Sequence, residues 1–405
     1  MLVLGNSHHV RRLSAGALLL AAAGLAATAP AATAKNLHVT HRVTYARGAV
    51  FTETNAAAIN EVVVFNRGTN GRLTMRQSVP TGGSGLPSPA CAAPPGLGIC
   101  PIADAQGEVN VSSDGRLVFA VNAGSNTISS FLETAYGLIL VDRKASDGTY
   151  PVSLDSHGNT LYVLNQVSGN IAGFRFAPNG RLYPIPGSSR SLATPGPMGA
   201  AAQISFDRTG RSLAVTERAT SQIDTFTVTG GVAGPATAHP TPAGASTPFG
   251  FAFDRFDRLV VSDALSQTTG AATTYRAVGN ALTAIDTKST NGGAPCWVVI
   301  TPDNRYVYIS NTTTKTIARF ALGSNGSLTL LGLTPTLGTP PGPIQFPTDE
   351  ALSKDGRFLY VLIPSVFGGS ISRIDQYRIG TGGSLTLLGS TPANMPAAVS
   401  GLAAR

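Results

Sequence analysis

The 405-residue chain carries 29 Lys and Arg against 21 Asp and Glu, a formal charge of +8, with 42% hydrophobic and 12% charged residues. The basic residues are scattered, mostly as one Arg per turn, and no basic run is interleaved with aromatics, so no nucleic-acid partner is expected. No apolar run after the first 34 residues reaches the ~18 needed for a transmembrane helix, so no membrane span is expected either.

In chain order, Arg11 and Arg12 precede an apolar run from Leu13 to Ala27, and Ala32-Thr33-Ala34 follows it. A positive segment, an apolar core too short to span a bilayer and a small-residue cleavage site predict a secretory signal peptide over residues 1–34. The remainder, 35–405, is then an exported protein, periplasmic or secreted, folded as one domain.

One phrase organises that domain: a turn, a basic or polar residue, an alternating apolar strand and a polar end. It is clearest as SSDGRLVFAVN (112–122) and returns at 154–165, 206–217, 253–263, 301–311 and 352–363. ARGAVFTETN (46–55) is a truncated first copy, which makes seven. Each repeat holds four strand-like pieces, such as EVNVS, RLVFAVN, NTISSFL and GLILVDR in the second copy. Their alternation, β-branched content and Asp-Gly or Asn-Gly turns predict antiparallel meanders. No stretch keeps a 3.6-residue period. Repeats of roughly 40–50 residues built from short strands predict an all-β fold, a seven-bladed β-propeller.

The first copy lacks its inner strand, and the last residues, PAAVSGLAAR (396–405), look like an inner strand with no blade after them. The C-terminal strand is therefore expected to complete the first blade, pairing residues near 398–403 with residues near 48–54 and leaving no open edge. A Pro/Gly-rich insertion (78–101) lengthens the first repeat. Its Cys91 and Cys100 are expected to form a disulfide in an exported protein.

Inner strands begin, and second strands end, on one rim of such a ring, and a channel mouth is the default binding site. The rim collects Asn122, Asn165, Glu217, Asp263 and Asn311 from second-strand ends, with Glu53 and Asn55 in the first copy. From inner-strand starts it collects Gln203, Trp297, Glu108, Phe249, Cys296 and Asp349. Asn122, Asn165, Gln203, Asp263, Trp297 and Asn311 are the candidate substrate-binding set. Plainer roles stand beside these: the Asn, Glu and Asp side chains can cap the turns after their strands, and Trp297 and Cys296 can be core packing. No metal site and no organic cofactor are expected. A divalent cation on rim oxygens is the one metal option, without any EF-hand spacing to support it.

The turn, the YVxN-like strand ends and the seven copies resemble the seven-bladed lactonase-type propellers, the family of bacterial-type 6-phosphogluconolactonase and carboxymuconate lactonizing enzymes. The resemblance covers essentially the whole of 35–405, in segments such as TPFGFAFD and APCWVVITPDNRYVYISN. It implies a lactone substrate and a cluster of His, Glu and Arg at the channel mouth that opens or closes the lactone. Within that cluster Glu217, with Arg218 beside it, is the local candidate base, since a carboxylate can activate water while an Arg holds a substrate anion. A small-molecule substrate or ligand and a monomeric protein are expected. The sequence departs from that cluster: His38, His41, His157 and His239 are the only histidines after residue 34, and the inner-strand start where a His is expected reads Ala200-Ala201-Ala202-Gln203. The alternative to a lactonase is a non-catalytic propeller that binds a small molecule, glycan or protein at the same mouth.

Overall fold

A computed structural model describes residues 48–85, 105–194, 201–278, 281–336, 346–364, 372–391, 395 and 399–405. The chain divides into two units, 1–42 and 43–405, and every described residue lies in the second. The expected signal peptide and the Cys91–Cys100 disulfide lie outside the described residues.

The second unit is a ring of seven antiparallel sheets, each a meander from an inner to an outer strand. Six blades take consecutive strands, with inner strands Val109–Val111, Pro151–His157, Ala201–Phe206, Pro248–Phe253, Pro295–Ile300 and Asp349–Leu352 for blades 2 to 7. Blade 1 is the exception. Its inner strand is Ser400–Ala404, the end of the chain, paired with Ala49–Glu53 at Val50 to Ala404, Phe51 to Ala403 and Glu53 to Ser400. The ring is thus closed by the C-terminal strand, as the sequence leads one to expect. No α-helix occurs among the described residues, only the short 3-10 turns Ala123–Ser125 and Thr381–Gly383.

Alternation explains the packing. In the second strand of blade 2 (Leu117–Asn122) all six residues are buried. Val118 and Ala120 enter the core shared with blade 1, while Leu117, Phe119 and Val121 enter the core shared with blade 3. The same division holds around the ring, with one apolar core in each of the seven joints between blades. A strand covered on both faces can be apolar throughout, because each neighbouring blade removes one face from water.

Polar ties cross the joints as well. Tyr162, Tyr308 and Tyr360 occupy equivalent second-strand positions in blades 3, 6 and 7. Their hydroxyls donate to the carbonyls of Gly231 (3.1 Å), Gly383 (2.8 Å) and Gly71 (3.0 Å) at the outer edge of the next blade. A buried tyrosine needs a partner for its hydroxyl, so each of these rings also fixes the angle between two blades.

Candidate functional site

The expected rim exists, and its second-strand ends are deeply buried. Asn122, Asn165, Glu217, Asp263 and Asn311 each have 0% relative exposure. Asn122 donates to Thr127 Oγ1 (3.1 Å) and Ser129 Oγ (2.9 Å), and its Oδ1 accepts from Thr81 Oγ1 (2.5 Å) and Asn60 Nδ2 (3.2 Å). Asn165 donates to the Ser146 carbonyl (3.0 Å) and Asn311 to Thr316 Oγ1 (3.0 Å). Asn165 and Asn311 pack directly on Gly148 and Gly292 of the incoming connection, where a Cβ would come within 3.0 Å of the amide. These bonds secure turns and joints between blades.

Two acids replace Asn in this series. Glu217 Oε2 accepts from Thr220 Oγ1 (2.8 Å) and Gln222 Nε2 (3.1 Å). Burial, reinforced by the neighbouring Asp224 carboxyl, pushes its pKa up to about 8. Asp263 Oδ2 accepts from Thr273 Oγ1 (2.6 Å), and burial pushes this acid up to about 8 as well. Desolvation penalises the charged form, so both are largely protonated at neutral pH. Arg218 follows Glu217 and lies with its guanidinium carbon 4.8 Å from the centre of the Phe249 ring. Phe249 in turn lies 5.1 Å from Trp297. Together with Ala202, Ala294 and Cys296 these rings form a small apolar cluster at the start of the inner strands. Cys296 Sγ donates to the Ala294 carbonyl (3.2 Å) within it. The structure thus brings Glu217, Arg218, Phe249 and Trp297 into one sector, blades 4 to 6, and leaves Asn122, Asn165 and Asn311 in separate joints. The described histidines lie elsewhere: His157 is exposed at a turn, 3.1 Å from the Arg208 carbonyl, and His239 pairs with Thr225 Oγ1 at 2.9 Å on an outer strand.

A feature with no sequence signature occupies the axis at this end. Residues Ala105, Gln106 and Gly107, just before the inner strand of blade 2, form a strap that crosses towards blades 4, 5 and 6. The Trp297 indole N–H donates to the Ala105 carbonyl (2.9 Å), and the Gln106 N–H donates to the Ala202 carbonyl (3.2 Å). The Gln106 side-chain amide pairs with the backbone of Val298, giving Nε2–H to its carbonyl (2.8 Å) and accepting its N–H at Oε1 (3.1 Å). Gln203 does the same to Phe251 of blade 5, at 2.9 and 2.6 Å. Ser153 Oγ and the Leu154 N–H of blade 3 donate to the Gln106 and Gly107 carbonyls at 2.6 and 2.8 Å.

Beyond the strap, a cavity of about 250 Å³ continues along the axis, lined by inner strands of blades 1 to 4 and by Asp349 of blade 7. Of the candidate binding residues, only Gln203 borders it. Asn110, Asp155 and Ser205 also line it, and sequence reasoning did not single them out. Among the described residues no group of His, Cys, Asp and Glu is arranged to hold a metal ion.

A closed ring of seven blades, five of four strands and two of five, with polar groups gathered on its axis defines a seven-bladed β-propeller protein. The family model for lactonases of the seven-bladed β-propeller type matches residues 50–198 and 278–363. The chain belongs to that lactonase family. No curated protein matches the chain. Among solved structures, it is similar to a protein from Lactobacillus plantarum (16% identity, TM-score 0.68, covering 88% of this chain and 99% of that one). It is also similar to a candidate 6-phosphogluconolactonase from Bacteroides uniformis (18%, 0.65, 87% and 98%) and to the periplasmic gluconolactonase of Pseudomonas aeruginosa (16%, 0.62, 87% and 98%). At these identities the likeness is one of fold.

Proposed function

We propose that the protein is an exported lactone hydrolase acting in the rim sector of blades 4 to 6. The observation that carries this reading is that one strand end places Glu217, an acid whose pKa is raised to about 8 by burial and by Asp224, next in sequence to Arg218, whose guanidinium stacks on Phe249. In its ionised form Glu217 removes a proton from water, and the hydroxide adds to the lactone carbonyl. The ring C–O bond then breaks, and the leaving alkoxide takes the proton back from Glu217, giving a hydroxy acid. Arg218 holds a carboxylate or phosphate on the substrate. No organic cofactor is needed. The experiment is hydrolysis of a lactone panel by the 35–405 protein, with and without EDTA, beside Glu217→Gln. Turnover abolished in the variant supports the assignment, and turnover unchanged in it removes Glu217 from the reaction.

A second reading is a non-catalytic binding propeller. It is favoured by the burial of the rim acids and amides, with Glu217 and Asp263 accepting hydrogen bonds from Thr220 and Thr273. Absence of turnover on the whole panel supports that reading.

A further inference from the structure

The channel is not alike at its two ends. At the rim the inner strands start with buried residues, and the strap lies across the axis: Glu108, Gln203, Phe249, Trp297 and Asp349 are at most 6% exposed. At the far end, where inner strands turn into second strands, Val111, Asp155, Ser205, Phe253, Ile300 and Ala404 are all half-buried. The axial cavity therefore opens towards the turn face, away from Glu217 and Arg218.

Its wall has a pattern that register makes visible. Asn110 pairs with Phe119, Asp155 with Tyr162 and Ser205 with Ala214, which are equivalent second-strand positions. Blades 2, 3 and 4 thus place a polar residue at the same height on the channel wall, where blades 5, 6 and 7 carry Ala252, Val299 and Ala351. The three are joined: Asn110 Nδ2 donates to Asp155 Oδ1 (2.9 Å), and Ser205 Oγ donates to Asp155 Oδ2 (2.8 Å). The Ser156 and Phe206 N–H groups fill the two remaining acceptor positions of Asp155, both at 2.8 Å. Asp349 accepts the N–H of Glu350 and of Leu402, each at 2.7 Å.

We propose that this axial cavity is a second binding site, distinct from the rim sector, which takes a small uncharged polyhydroxy compound of about monosaccharide size through the turn face. Its volume, about 250 Å³, far exceeds the roughly 10–15 Å³ that one water needs and approaches the lower end of ordinary ligand pockets. Three primary amides line it: Gln106, Asn110 and Gln203. Among the described residues each has one N–H donated and its oxygen engaged once, which leaves one N–H and one lone pair on each. Hydroxyl groups, which donate and accept at once, match that set. Among the described residues an anion meets two carboxyl side chains and no Lys or Arg in the lining. A cation finds Asp155 already saturated by four donors.

The test is calorimetric titration of the 35–405 protein with three probes of one carbon skeleton: glucose, glucuronate and glucosamine. The expected result is saturable binding of glucose, at least about tenfold tighter than of either charged sugar. Asn110→Leu should weaken it by about tenfold or more while leaving lactone turnover unchanged. Ser205→Val serves as the second variant should Asn110→Leu fail to fold, as judged by circular dichroism. Glu217→Gln should retain glucose binding, which separates this site from the proposed hydrolytic one. No saturable binding of glucose, tighter binding of a charged probe, binding undiminished in both cavity variants, or binding lost in Glu217→Gln would each overturn the proposal.

Discussion

Leu402 donates its backbone N–H to the carboxylate of Asp349 at 2.7 Å, so the closing strand of blade 1 is anchored to the inner strand of blade 7. On the other side of the same strand Thr52 Oγ1 donates to the Ser400 carbonyl (3.0 Å), and the guanidinium of Arg405 bonds Glu133 in blade 2. Three blades thus converge on the last six residues. Asp349→Ala leaves two buried N–H groups, those of Glu350 and Leu402, without their acceptor. At about 1–3 kcal/mol for each orphaned group, the variant should lose roughly 2–6 kcal/mol in urea unfolding. Deleting residues 396–405 removes the buried Val399 and Leu402 side chains as well as the edge cover of Ala49–Glu53, and should abolish the cooperative transition.

Buried acids make stability depend on pH in an unusual direction. Burial raises Glu217, Asp263 and Glu350 to about 8, with Asp224 adding to the effect at Glu217. In the unfolded chain such acids titrate near 4. Between those values the folded state holds protons that the unfolded state has released, so stability falls as pH rises. Their contribution is complete below about pH 4 and is lost as pH passes through about 8. Thermal melts should show Tm dropping by on the order of 5 °C or more between about pH 5 and pH 9. Asp263→Asn, which keeps the neutral shape, should flatten that slope. A Tm that rises over the interval contradicts the assignment.

The same shift governs the proposed reaction. A base must be ionised, so kcat/KM should climb through about pH 8 if Glu217 serves. Asp224 helps to keep Glu217 protonated. Asp224→Asn should therefore move the climb to lower pH, with the plateau rate little changed. A merely structural role for Asp224 would lower the rate without moving the profile.

Much of the architecture was legible because one phrase repeats: an Asp-Gly or related turn followed by period-two apolar residues leaves a strand no alternative face. The unpaired PAAVSGLAAR tail pointed to its own partner for the same reason. The axis was less legible. Gln106 meets Val298 across 192 residues through a side-chain amide, and no periodicity encodes such a contact. Register hid the rest. Counting five residues back from Gly115 and from Gly158 sets Asn110 against Ser153. His157 pairs directly with Thr160 in a tighter turn, however, so the true equivalent of Asn110 is Asp155. Turn length had to be seen before the polar row on blades 2 to 4 could be.

The strap offers its own reporter, since Trp297 is the chain's single tryptophan and its indole N–H bonds the Ala105 carbonyl. With 3% of its surface exposed, it should emit as a buried indole and resist quenching by acrylamide. Gln106→Ala removes both bonds to the Val298 backbone, leaving a buried N–H and carbonyl that only water can then satisfy. Water entering there should shift the emission to the red and raise the quenching constant several-fold, at a cost of about 1–3 kcal/mol in stability. Gly234→Ala, at an outer edge where an added methyl makes only ordinary contact with the Thr227 carbonyl, should leave the spectrum unchanged. If Gln106→Ala quenches no more than the unaltered protein, the strap does not seal the rim end. The closure of the channel must then rest on the apolar cluster of Phe249 and Trp297 alone.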